Sequence, residues 1–144
     1  MQWRQRMACA ALCAALAIPI VAGDAMPKVS GIYSDLAYNA QAGDLLGIEL
    51  VVVPGTSAYT PQYMVFVQIA EGGAPYTALV PLVVHGRQVE FTLPIGEDGY
   101  FSGLHFTGRL TASALIVRAD NGDSPGVEET LRRGRSYWQG TKEP

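Results

Sequence analysis

Residues 31–53 read GIYSDLAYNAQAGDLLGIELVVV. In the second half, Leu46, Ile48, Leu50 and Val52 fall on one side and Gly47 and Glu49 on the other, the two-residue period of a half-buried strand. Residues 31–38 form a first strand, and the polar, Gly-containing residues 39–43 turn the chain into the second. The stretch is therefore an antiparallel hairpin. It cannot cover its own apolar face, so the remaining chain has to supply strands that cover or close it.

Working outward, the second strand ends at Pro54-Gly55, a pair that cannot continue a ladder. Residues 59–70 give a third strand with Tyr63, Val65, Val67 and Ile69 on one face and Gln62, Met64, Phe66 and Gln68 on the other. A turn over residues 71–75 leads to a fourth strand, residues 76–84, which contains Pro81. A proline lacks the backbone donor, so an edge or a bulge is expected there. His85-Gly86-Arg87 turns the chain into residues 88–93, where Val89, Phe91 and Leu93 alternate cleanly with Gln88, Glu90 and Thr92. Residues 100–106 and 110–118 are the sixth and seventh strands, separated by Thr107-Gly108-Arg109. After a loop with Asn121-Gly122 and Pro125-Gly126, residues 127–132 are the eighth. No segment has sustained helical periodicity. Eight short strands in sequential antiparallel order predict a small up-and-down barrel, because closure removes the edges that invite aggregation. A two-sheet β-sandwich is the competing architecture and accepts Pro81 more easily at an edge.

The opening Gly31-Ile32-Tyr33, the sequential hairpins and the late Phe101-Ser102-Gly103 together resemble calycin-type barrels in outline. In this chain Tyr33 stands where a lipocalin's opening Gly-x-Trp has tryptophan. The resemblance implies a calycin-like fold and carries no functional residue across.

With 144 residues the chain suits one domain. Arg4 and Arg6 precede an apolar run over residues 7–21 and then small residues, the layout of a secretory signal peptide. The domain organisation expected is a leader over 1–23, cleaved after Gly23 or Ala25, and a single all-β domain over 24–144 with a short C-terminal tail at 133–144. Cys9 and Cys13, the two cysteines, lie inside the leader. The mature chain then has no disulfide, thiolate metal site or cysteine nucleophile. Loss of Arg4 and Arg6 makes it more acidic than its formal net charge of −3. That balance disfavours nucleic acid and anionic lipid. The expected location is periplasmic or extracellular, with no membrane span after cleavage.

Candidate chemistry is sparse. His85 and His105, with Glu90, lack any close ligand spacing, and a surface or turn role is the expectation. Asp120-Asn121-Gly122-Asp123, with Glu128 and Glu129 following, departs from the spacing of a calcium loop and reads as a solvated hairpin loop. Glu97 and Asp98 read as a charged turn. No serine sits in a G-x-S-x-G elbow. No cofactor or metal is expected. Two features point to contact with a ligand or partner. Met64 and Phe66 break an otherwise polar strand face, and Arg132, Arg133 and Arg135 precede Tyr137 and Trp138. The expected function is that of an exported non-enzymatic binding module, for a small apolar molecule inside the barrel or a polypeptide on its outer face. A secreted hydrolase and a structural component of the cell envelope are the alternatives.

Overall fold

A computed structural model describes residues 25–56, 61–96, 99–120, 122 and 125–140. The leader, the start of the expected third strand at Tyr59, the Glu97-Asp98 turn, and Asn121 and Asp123 lie outside them. The strands are β1 (Gly31–Ser34), β2 (Ala37–Asn39), β3 (Asp44–Pro54), β4 (Tyr63–Glu71), β5 (Tyr76–His85), β6 (Gln88–Thr92), β7 (His105–Leu110), β8 (Ala114–Asp120) and β9 (Pro125–Arg133). A single 3-10 turn, Tyr137–Gln139, follows.

Every pairing is antiparallel, and each strand from β3 to β8 pairs with the next. β1 closes the ring by pairing with both β3 and β9. The result is one sheet closed on itself as an eight-stranded barrel, with β2 as an extra strand. The sandwich alternative, which needs two sheets, does not describe it. Alternation fills the interior: Tyr33, Leu50, Val65, Val67, Leu93, Phe106, Leu110, Leu115, Val117 and Leu131 are all almost wholly buried. Phe91 stacks on Phe106 with ring centroids 4.8 Å apart. At about 25 cal/mol per Å² of apolar surface removed from water, this packed interior is the dominant stabilising term.

Three expectations are corrected. The first strand is broken into β1 and β2 because Asp35 interrupts the ladder. Its carboxylate accepts the Ile48 N–H at 2.7 Å and its own N–H reaches Ile48 O at 3.1 Å. Gly47 makes room: with φ at +111°, a Cβ there would lie 2.8 Å from the Asp35 carboxylate. The sixth strand is residues 105–110, not 100–106, since residues 99–103 turn and Phe101 packs instead against Tyr76, centroids 5.1 Å apart. Thr107-Gly108-Arg109 is then strand interior; the turn falls at residues 111–113, where the Thr111 hydroxyl donates to Ala114 O and accepts from Ala114 N. β5 is not an outer strand and has no bulge in its β4 ladder at Pro81; the proline is accommodated at a locally unpaired stretch instead. It sits opposite Met64 of β4, and the ladder to β6 spans only Val83–His85, so its missing donor falls beyond that ladder.

Candidate functional site

The residues marked out by sequence separate into two neighbourhoods. Strand alternation points Met64 and Phe66 outward, and register aligns them in rows: Ile32, Val51, Phe66 and Leu79 in one, Val53, Met64 and Pro81 in the next. Leu79 is 61 % exposed and Val53 43 %. This outer face of β3–β5 therefore presents aliphatic side chains where a solvated strand carries polar ones. Each of those seven residues is uncharged.

The C-terminal tail borders it. Glu49, in the row Ser34, Glu49, Gln68 and Thr77, is 1 % exposed although it points out of the barrel. Its carboxylate accepts from the Ser136 hydroxyl at 2.5 Å and from Tyr137 N at 2.8 Å. Trp138 donates its indole N–H to Gln68 at 2.5 Å, and the Tyr137 ring stands edge-on to it, centroids 5.2 Å apart. Glu49 thus fastens the tail beside Phe66 and leaves Trp138 half-exposed. Sequence alternation placed Glu49 outside the core. Its partners lie nearly ninety residues downstream, so no local signal could reveal its burial.

The three arginines diverge. Arg133 turns back on the lead-in: its guanidinium donates to Lys28 O, to Ser30 O at 2.7 Å and to the Tyr33 hydroxyl at 2.9 Å, and lies 5.1 Å from the Tyr33 ring centre. Burial pushes the Tyr33 hydroxyl above its ordinary value, while the Arg133 charge pulls the other way. Arg132 and Arg135 are exposed.

A third neighbourhood escaped the sequence. At the mouth formed by β2, the end of β4 and the start of β9, the inward-facing positions are Ala37, Leu46, Glu71 and Glu129. Burial first, and then Asp35 and Glu71, raise the Glu129 carboxyl above its ordinary value. Beside it, Glu71, Tyr76, Tyr100 and Phe101 line a cleft of 400 Å³.

His85 and His105 are not brought together. They sit opposite Gln88 and Thr92, the two ends of β6, about 13 Å apart along the strand. His105 Nδ1 pairs with the Thr92 hydroxyl at 2.9 Å. Among the described residues, no group of three or more His, Cys, Asp or Glu is placed to hold a metal ion, and no helix is long and apolar enough to cross a membrane. Compared with known proteins, the chain matches no family model, no curated protein and no solved structure.

Proposed function

We propose that the protein is an exported, non-enzymatic binding module that engages a polypeptide partner through the outer face of β3–β5. The observation carrying this reading is the uncharged, outward-facing set of Val51, Val53, Met64, Phe66 and Leu79 on a barrel whose interior is already occupied by its own side chains. An apolar centre with an adaptable methionine and an aromatic, rimmed by Gln62, Gln68 and Thr77, has the composition of a protein contact patch. Tyr137, Trp138, Arg135 and Arg132 flank it as rim contacts. The filled interior favours this reading over a small apolar ligand held within the barrel. Export rests on Arg4, Arg6 and the apolar run that follows. Intact mass of the exported protein checks it: the chain should begin after Gly23 or Ala25 and carry no thiol.

Replacing Met64 and Phe66 together by threonine tests the surface. The variant should keep its unfolding midpoint and lose at least tenfold in association with the partner that the unaltered protein retains, read by sedimentation of the purified pair. A large fall in stability with association unchanged would retire the proposal.

A further inference from the structure

The barrel wall is incomplete on one side of β9. β1 pairs with β9 only through Tyr33–Arg133 and Ser34–Arg132. At Asp35 the chain then swings across to β3, where β2 pairs with β3 alone. Among the described residues, no strand pairs with β9 on that side from Gly126 to Leu131, while its other side is paired with β8 from Glu128 onward and, past an irregularity at Gly126 and Val127, again at Pro125. The gap is visible in the side chains. Glu129, opposite the buried Val117, shares the inward face with Leu131, yet it is only partly buried where Leu131 is wholly buried; Val127, at an irregularity in the β8–β9 ladder, is 83 % exposed. Across the gap all three residues of β2 are exposed.

We propose that this slot accepts an extended, basic polypeptide segment of a partner protein, which adds to the β9 edge as a strand. An edge with unpaired N–H and C=O groups is a template for such addition, and main-chain hydrogen bonds supply the affinity. Chemistry selects the occupant. Glu129 points into the mouth, and Asp35 and Glu71 are close enough to oppose its ionisation. Lysine or arginine at alternate positions of the incoming strand meets those carboxylates, and the intervening side chains face outward. A second copy of this chain is disfavoured in the two-fold antiparallel registers centred on Glu128 or Glu129, the middle of the edge, because each sets that glutamate against its own copy, and like charges directly opposite are destabilising. The slot lies apart from the outer face of β3–β5, so the inference stands whether or not that face binds a partner.

The test uses the full chain and four nine-residue peptides: alternating Lys and Val, the same with Glu for Lys, and two Lys–Val peptides N-methylated at every second residue, one along each edge. The Arg133 N–H bonds to Ser113 O on the β8 side, so by alternation along the strand the Glu128 and Thr130 amides face the open edge; hydrogen exchange should show these two exchanging faster than the ladder amides of β8 in the free protein and slowing on addition of the Lys–Val peptide. Binding should weaken with salt and fail for the Glu peptide. N-methylation should abolish it on one edge and spare it on the other. Glu129→Lys, whose folding is checked by its unfolding midpoint, should weaken the Lys–Val peptide at least tenfold. The proposal is overturned if these amides are already protected as strongly as those of β8. Equal binding of Lys and Glu peptides, binding indifferent to N-methylation, or absence of peptide-induced protection overturns it equally.

Discussion

Glu49 shows how one side chain can belong to the barrel by sequence and to the tail by contact. A carboxylate taken out of water is tolerated only when its oxygens find donors, and both donors here come from residues 136 and 137. Glu49→Gln should lower stability by about 1–3 kcal/mol, and Ser136→Ala by about 1 kcal/mol, with Trp138 emission shifting to the red as the tail detaches. Denaturant unfolding followed by fluorescence checks both. Glu129 behaves in the opposite sense. Its carboxyl is raised in the folded protein, so the folded state holds the proton more tightly than the unfolded chain, and stability from this group falls as pH rises from 4.5 through the folded value. Glu129→Gln should therefore raise the urea midpoint at pH 7, an advantage that disappears as the pH is lowered toward 4.5. Neither behaviour was legible from Glu49 or Glu129 alone, because partners and neighbours of both are distant in sequence.

At the level of elements, β6 is where sequence was most readable. Val89 and Phe91 are buried, and Glu90 lies opposite Val83 and Thr107 on the outer side. Phe91→Asp should remove several kcal/mol from a stability that is typically about 5–15, whereas Glu90→Ala should change it by less than about 0.5. Parallel chemical denaturation curves decide it; equal effects would mean a register wrong by one residue. β7 is harder to read, because glycine between polar residues has the composition of a turn. Gly108 is in a strand for another reason: a Cβ there would lie 2.8 Å from Ile116 O and 3.1 Å from both Val117 and Val89 side chains. Close approach of neighbouring strands and a turn leave the same residue in the sequence. Likewise the aromatic run at Tyr100 and Phe101 has strand composition but serves as a cover, with Phe101 tilted against Tyr76 and Tyr100 edge-on to Phe101.

For the whole molecule, the barrel followed from short sequential hairpins, while the slot beside β9 did not, because it depends on where Asp35 diverts the chain. Closure joins the first strand to the last: the Tyr33 hydroxyl and the Arg133 guanidinium that holds it are 100 residues apart. Such distant pairing predicts refolding on a millisecond-to-second scale rather than in microseconds. Stopped-flow fluorescence measures it, and Arg133→Ala should mainly accelerate unfolding if the seam forms last. The same seam sets a timetable during synthesis. At about 5–20 residues per second, a ribosome delivers Arg133 some 5–20 s after Tyr33. Throughout that interval the cylinder has no second lip to seal against, and the barrel cannot close. For the export proposed above, this order of synthesis keeps the barrel unlocked until its last strand has been delivered.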